Sequence, residues 1–210
     1  DNTHTIPYNS TDYVDSLVLT SGIYEKTYIV FIDQYLPLHP DNKISGESGA
    51  NVELYYSQMN HFLELLESNY QCEVIIAAHP ASLSYSRCNP FGNRKLTTGK
   101  TKELVRNCKF VVAHFSTAIY FAVIYKKPLI LISSNDISKN LSRAHASTYA
   151  FARELDCDFI MLDNLSRAIE AKGINDEVYN NFKYDYITNP QTENISNEEI
   201  LMSIIKGDYE

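Results

Sequence analysis

Two hydroxyl side chains stand at a position where a helix should begin. Ser116 and Thr117 follow the apolar run of residues 109–115 and precede the apolar stretch of residues 118–125. A hydroxyl group at a helix start can cap a free backbone N–H. It can also donate a hydrogen bond to a phosphate that the free N–H groups and the positive end of the helix dipole attract. Both interpretations fit the sequence at this point.

A histidine follows a second apolar run. His79 comes directly after residues 73–78, and Pro80 restricts the backbone next to it. Taken alone, a histidine in such a turn is an ordinary surface residue. Beside Ser116 on a neighbouring strand end, however, its imidazole could donate a hydrogen bond to a phosphate oxygen. The two positions together predict an anion pocket that needs no metal ion.

A carboxylate and an amide end the first apolar run. Asp33 and Gln34 follow residues 27–32, and His39 and Asp41 lie in the loop that comes next. Asp33 could orient a substrate hydroxyl, act as a general base, or simply cap a turn. The sequence assigns no role to the loop residues.

The remaining residues with reactive or charged side chains have structural alternatives. Arg143 and His145, at the start of a later helix, could reach a carboxylate group on a bound ligand. His114 lies inside a predicted strand, which favours a packed core histidine. Asp156 and Asp158 form a D-x-D pattern, but it precedes a strand instead of following one, so we expect a solvated turn and no metal site.

Apolar runs of strand length alternate along the chain with helical patterns. Strands are predicted at residues 27–33, 72–80, 109–115, 127–133 and 158–163, and helices at about 51–69, 100–107, 116–126, 142–155, 164–171 and 196–206. This alternation predicts βαβ units and hence an α/β fold with a Rossmann-like, doubly wound parallel sheet. Ligands of such sheets bind outside the carboxyl ends of the strands, where Asp33, His79 and Ser116 are expected.

Composition limits the possible partners and the number of domains. The 210 residues, 44% of them hydrophobic, are enough for one large domain with its own core. A formal net charge of −8 argues against a nucleic-acid partner. We expect residues 1–24 to form a linker or crossover segment and residues 25–210 to form one Rossmann-like domain. Neither a signal peptide nor a membrane span is recognisable, so we expect a cytoplasmic protein.

Two stretches carry a resemblance to a known family. "AAHPAS" (residues 77–82) and "TTGKTKELVRNCKFVVAHFSTAIYFAVIYKKPLILIS" (residues 97–133) resemble the C-terminal, donor-binding half of bacterial GT-B glycosyltransferases. The sequence is most similar to enzymes that use CMP-activated acidic sugars, the sialyltransferase and Kdo-transferase-like groups. In that family a His-Pro pair and a downstream Ser-Ser or Ser-Thr pair hold the phosphate and ribose of CMP.

The resemblance implies an activity and a set of binding residues. It implies that His79, Pro80, Gly99, Ser116 and Thr117 bind the nucleotide, with His79 as a catalytic candidate. Asp33 is the second catalytic candidate, because of its position at the end of the first strand. The resemblance further implies an inverting, metal-independent glycosyltransferase that makes bacterial surface polysaccharide or lipooligosaccharide from a CMP-sugar donor and a glycan acceptor. A second, N-terminal Rossmann-like half would complete the enzyme, and the full-length protein could associate peripherally with the inner membrane.

Two other functions fit the same sequence. A UDP-sugar 2-epimerase has a similar two-lobed architecture but needs carboxylates and histidines around the sugar ring, and it would prefer UDP to CMP. A non-catalytic nucleotide- or carbohydrate-binding module would keep the fold without turnover. In that case replacing His79 would leave no activity to lose, although nucleotide would still bind.

Overall fold

A computed structural model describes residues 6–17, 28–44, 46–165 and 168–206. The strands among them are β1 (Tyr28–Ile32), β2 (Glu73–Ala78), β3 (Leu96–Thr98), β4 (Val111–Ala113), β5 (Leu129–Ser133) and β6 (Asp158–Met161). The α-helices are α1 (Thr11–Leu17), α2 (Asp41–Ile44), α3 (Val52–Tyr70), α4 (Thr101–Asn107), α5 (Tyr120–Ile124), α6 (Asn135–Asn140), α7 (Ser142–Glu154), α8 (Asp176–Phe182) and α9 (Asn197–Lys206). Of the helices in these ranges, none combines the length and the apolar character that a membrane crossing requires.

The strands form a single parallel sheet. Their order is β3-β2-β1-β4-β5-β6, and every neighbouring pair is parallel. This is the strand order of the Rossmann fold, in which the strand order reverses between the first and the fourth strand. The predicted fold class, a doubly wound α/β sheet, is therefore confirmed.

The central strand shows why the apolar runs are continuous. Ile29 and Phe31 of β1 point to one face of the sheet, where they pack in a core with α3. Val30 and Ile32 point to the other face and pack in a second core with α4 and α5. Because helices cover both faces, all five residues of β1 are buried. Alternation between apolar and polar residues is therefore absent from this strand.

The helix after β4 begins differently from the prediction. Thr117–Ile119 form a 3₁₀ turn before α5 starts at Tyr120, and Ser116 is the N-cap of that turn. Lys126 adopts a left-handed backbone with φ of 51° just beyond the helix. This conformation ends helices, so the segment is shorter than the apolar pattern indicates.

The helix predicted at residues 164–171 is wrong. The described residues of that range form a bend at 164 and an irregular chain at 165 and from 168 onwards. The N–H of Ala171 donates to the Tyr70 hydroxyl at 2.7 Å, and the N–H of Lys172 donates to Asp158 Oδ2 at 2.7 Å. A side chain of another element thus takes the N–H of Ala171, which a helix would bond internally.

The first described segment packs against the sheet's helices. Tyr13 of α1 is buried in the core that contains α5. Asn9 is 3% exposed, and its Oδ1 accepts hydrogen bonds from the hydroxyl groups of Thr188 (2.6 Å) and Thr192 (2.9 Å). Residues 6–17 therefore contact the body of the domain, whereas the rest of the expected linker, residues 1–5 and 18–24, lies outside the described residues. The boundary at residue 24 stays a prediction.

Candidate functional site

A cleft of about 430 Å³ opens at the carboxyl edge of the sheet. Its walls come from the chain after β1, β2 and β4 and from the start of α7. The side chains on it that can donate hydrogen bonds are Gln34, His39, Asn42, His79, Ser116, Arg143 and Ser147. The β1–β4 boundary is where the strand order reverses, and open parallel sheets bind their ligands at such a switch point.

His79 is held in one orientation by its own turn. Its Nδ1 accepts the N–H of Ala81 at 3.1 Å, and its carbonyl accepts the N–H and the hydroxyl of Ser82. Burial lowers the pKa of His79, and the neighbouring His39 lowers it further. A neutral ring whose Nδ1 accepts a hydrogen bond carries its proton on Nε2. His79 therefore offers an Nε2–H donor at the cleft.

Ser116 both caps a helical turn and lines the cleft. Its Oγ accepts the N–H of Ala118 at 3.2 Å, which is the capping interaction expected from the sequence. The hydroxyl proton is not used by this bond and can be donated to a ligand. Both interpretations of this residue are thus compatible with its geometry.

Three other predicted binding residues do not line this cleft. Thr117 and Gly99 are exposed, Gly99 with a φ of 72° directly after β3. Pro80 lines a smaller neighbouring cavity of about 310 Å³ at the ends of β2 and β3. Of the five predicted nucleotide ligands, only His79 and Ser116 lie on the wall of the larger cleft. The roles of the other three stay predictions.

Asp33 lies under a group of tyrosines and not on the wall of the cleft. It is 2% exposed, its Oδ1 accepts the N–H of Tyr35 at 3.0 Å, and its Oδ2 has no hydrogen-bond partner among the described residues. Burial raises the pKa of Asp33 to about 6, although nearby N–H groups and the Tyr85 hydroxyl oppose this. The Tyr85 hydroxyl forms a hydrogen bond with the Tyr56 hydroxyl at 2.8 Å. It lies near the Asp33 carboxylate but is not hydrogen-bonded to it.

His114 is a core residue, as predicted. It is completely buried directly after β4, and its Nδ1 lies 2.8 Å from the carbonyl oxygen of Ile132. Because a carbonyl only accepts, the proton is on Nδ1, and Nε2 accepts from the Tyr55 hydroxyl at 3.0 Å. Burial lowers the pKa of His114 to about 4.

The two basic residues expected to reach a sugar carboxylate have separate positions. Arg143 is exposed on the wall of the cleft. His145 instead bonds to the buried Ser133 through Nδ1 at 2.9 Å and packs edge-on against Phe159. Arg143 alone has access to a ligand there.

The D-x-D carboxylates are engaged in structural contacts. Asp156 Oδ1 lies 2.6 Å from Nζ of Lys172, and the Lys172 side chain holds the pKa of Asp156 below its usual value. Asp158 accepts the backbone N–H of the same lysine. In the part of the chain that the structure describes, no group of three or more His, Cys, Asp or Glu side chains could hold a metal ion.

Sequence reasoning gave no role to His39, which lies on the wall of the cleft. His39 was expected in a loop without a role, but its ring lies against that of His79 with centroids 5.0 Å apart. A signal was present, because residues 39–40 repeat the His-Pro pair of residues 79–80. Two carboxylates, Asp41 and Glu47, also line this wall.

Comparison with known proteins gives similarity to solved structures alone. No family model matches the chain, and no curated protein matches it. Among solved structures, the chain is similar to a UDP-GlcNAc 2-epimerase from Methanocaldococcus jannaschii, crystallised with UDP-GlcNAc and UDP, at 15% identity and a TM-score of 0.39. The match covers 76% of this chain and 44% of the epimerase, so the chain spans less than half of that protein's length.

Proposed function

We propose that this chain is the donor-binding part of a glycosyltransferase and that its cleft binds a nucleotide-activated sugar, specifically a CMP-linked acidic sugar. One observation carries the proposal. At the switch point of a Rossmann-type sheet, donors from three different segments, His79, Ser116 and Arg143, line one cleft. This is the position at which open parallel sheets bind nucleotides.

The phosphate is the group that His79 and Ser116 recognise in this proposal. In a CMP-sugar the bond between the anomeric carbon and the phosphate oxygen breaks, and its electron pair stays on that oxygen. The negative charge on the phosphate therefore increases towards the transition state. Donors that are fixed before the reaction stabilise this charge more than they stabilise the ground state. The Nε2–H of His79 and the hydroxyl of Ser116 are such donors.

Arg143 provides a reason to expect an acidic sugar. The chain has a net charge of −8, and Asp41 and Glu47 line the same cleft, so an arginine on this wall offsets local negative charge. A guanidinium group can bind a carboxylate through two parallel hydrogen bonds. In our proposal Arg143 binds the carboxylate of the sugar while His79 binds the phosphate.

The acceptor hydroxyl attacks the anomeric carbon from the face opposite to the departing phosphate, and its proton goes to a base. Asp33 stays our candidate for this base because its pKa of about 6 suits proton transfer near neutral pH. It is buried, so it would have to act after a rearrangement of the tyrosines above it. We propose that the acceptor site belongs to an N-terminal half that faces this cleft.

Calorimetric titration of the chain with CMP, UDP and GDP tests the proposal. We expect CMP to bind most tightly, and we expect the backbone amide NMR signals of residues 78–82 and 114–119 to shift on binding. His79→Ala should weaken CMP binding, whereas His61→Ala should not, because His61 is exposed on α3 and does not line the cleft.

Three results would contradict the proposal in different ways. A preference for UDP over CMP would favour an epimerase-like enzyme. Nucleotide binding without sugar transfer by the full-length protein would favour a binding module. If none of the three nucleotides binds at millimolar concentration, the cleft is not a nucleotide site.

A further inference from the structure

We propose that His39 is a second phosphate ligand and that His39 and His79 together hold one phosphate group. This inference rests on the proposed function, because it names the groups that bind the phosphate in the same cleft. It adds a residue to which neither the sequence motifs nor the resemblance assigns a role.

The two histidines belong to two copies of the same turn. His39-Pro40-Asp41 follows β1, and His79-Pro80-Ala81 follows β2. In each copy the histidine Nδ1 accepts the N–H two residues further on, at 3.3 Å from Asp41 and 3.1 Å from Ala81. Proline has no N–H, so the first donor after each histidine is at that position. The loops that follow two adjacent strands of the sheet thus contain the same His-Pro turn.

This hydrogen bond fixes the tautomer of both rings. A neutral imidazole with an accepting Nδ1 has its proton on Nε2. Among the described residues, neither Nε2 has a hydrogen-bond partner, whereas both rings line the cleft. Each ring therefore has one unused N–H donor.

The distance between the rings suits one shared anion. Their centroids are 5.0 Å apart at an interplanar angle of 72°. An N–H···O bond spans about 2.9 Å, so two oxygens of one phosphate can accept from rings at this separation. A carboxylate could not replace the histidines in this role because it has no proton to donate when ionised.

The same geometry disfavours a metal ion. Coordination through Nε2 requires the proton to move to Nδ1. There it would point at the N–H of Asp41 or Ala81, and two donors would face each other. The arrangement is therefore built to donate to an anion.

Three charged side chains lie on the wall of the cleft around the pair. The Asp41 carboxylate lies 3.7 Å from Nδ1 of His39 but is 74% exposed, so water screens it. Glu47 and Arg143 are the other charged side chains on the wall of the cleft.

The test compares variants of His39 with CMP and with cytidine, which lacks the phosphate. Calorimetry at pH 6.5 and constant salt should show that His39→Ala weakens CMP binding about tenfold, the loss expected for one hydrogen bond to a charged group. Cytidine binding should not change. His61→Ala is the matched histidine control on the exposed surface of α3.

Two further substitutions separate the Nε2 donor from the rest of the ring. His39→Gln can place an amide N–H near the position of Nε2, and we expect it to retain most of the affinity for CMP. His39→Asn can accept the N–H of Asp41 but does not reach as far, and we expect it to resemble His39→Ala. If His39→Ala does not fold, the comparison of His39→Gln with His39→Asn still tests whether the Nε2 donor binds the phosphate.

The outcomes separate this inference from the proposed function. If His39→Ala leaves CMP affinity unchanged while His79→Ala weakens it, the second ligand is disproved and the proposed function stands. If CMP and cytidine weaken equally in His39→Ala, the residue does not act on the phosphate. Tight Zn²⁺ binding that disappears in His39→Ala would show a metal site instead. If wild-type protein binds no CMP at all, both proposals are wrong.

Discussion

The hydroxyl of Tyr55 lies 3.0 Å from Nε2 of His114 in a site that is closed to solvent. Tyr55 belongs to α3, and His114 directly follows β4, so the bond joins a covering helix to the carboxyl edge of the sheet. The second ring nitrogen of His114 is bonded to the carbonyl of Ile132 on β5. Both ring nitrogens of the neutral imidazole therefore have hydrogen-bond partners. The next two residues, Phe115 and Ser116, line the cleft.

Tyr55→Phe should destabilise the fold. The substitution removes the only donor to His114 Nε2 within the described residues and leaves a buried acceptor unpaired. We expect a loss of about 1 to 3 kcal/mol in the free energy of unfolding, measured by urea denaturation. Tyr149→Phe is a suitable control because that tyrosine is 48% exposed on α7. Equal effects of the two changes would contradict this assignment.

Asp33→Asn should stabilise the protein at neutral pH. The pKa of Asp33 rises from 3.8 in the unfolded chain to about 6 in the fold, so folding favours its protonated form. The stability gained by protonation is fully present below pH 3.8 and is lost as the pH rises through about 6. Asparagine stays neutral, so the variant should be more stable by on the order of 3 kcal/mol at pH 8.

The pH dependence of that difference is the decisive measurement. The advantage of Asp33→Asn over the wild type should shrink between pH 6 and pH 4, as measured by denaturant unfolding at each pH. Asp185→Asn, at an exposed position, is the control. A constant difference over this range would show that the Asp33 carboxylate is not the titrating group. Loss of transfer activity together with gained stability would support its proposed role as base.

Arg94→Lys should not be a conservative change. The guanidinium group donates from Nε and Nη2 to the two oxygens of Glu67, at 3.0 and 2.8 Å, and from Nη1 to Asn60 and to the carbonyl of Phe91. Lysine cannot reproduce this fork, and the Arg94 side chain is only 10% exposed. We expect a loss of about 2 kcal/mol in the free energy of unfolding. Arg87→Lys, on the exposed surface, should change it by less than about 0.5 kcal/mol.

His79→Ala and Ser116→Ala should affect binding and stability in opposite order. Loss of the His79 donor removes a hydrogen bond to a charged phosphate, which is worth about 1.5 to 3 kcal/mol, and transfer by the full-length enzyme should fall accordingly. Ser116→Ala leaves the backbone N–H groups in place and should cost less in transfer. It removes the cap on Ala118, however, and should lower the melting temperature more than His79→Ala does. The reverse order would mean that His79 is structural.

CMP affinity should be the same with and without EDTA. The expected phosphate ligands are neutral or positively charged side chains, and the D-x-D carboxylates are engaged with Lys172. Calorimetric titrations in the presence of EDTA and of Mg²⁺ test this directly. A strict requirement for Mg²⁺ would mean that Asp41, Glu47 or the D-x-D pair acts as a metal ligand.

Much of the sheet could be predicted because its strands are buried on both faces. The four strands β1, β2, β4 and β5 are almost entirely continuous apolar runs. Such runs are recognisable in the sequence without any knowledge of tertiary contacts. β3 was not predicted as a strand, since "LTT" (residues 96–98) is short, partly polar and lies at the sheet edge. The helix predicted at residues 164–171 fails for a complementary reason. The N–H of Ala171 in this range finds its partner on Tyr70, which is remote in sequence.

The site could be predicted only where a strand end determines it. His79 and Ser116 were found because parallel strands bring their carboxyl ends to one edge. The sequence does not reveal that Asp33 turns towards Tyr85 and away from the cleft, because both sides of a strand end are equally consistent with the pattern. Nor does it show that the loop after β1 returns to place His39 against His79. That contact depends on the path of residues 34–39, which no periodicity encodes.

The reversal of strand order has a consequence for how the domain comes apart. Residues 28–98 supply β1, β2 and β3, and residues 111–161 supply β4, β5 and β6, so each half-sheet is built from its own stretch of chain. Among the strands that the structure describes, the pairing of β1 with β4 is the one ladder that joins the two half-sheets, through partners such as Val30 and Val111 that are far apart in sequence. The cleft lies over the boundary between β1 and β4. A molecule bound there contacts both halves, so it should slow their separation, seen as amide exchange along β1 and β4, more than it slows fraying within either half.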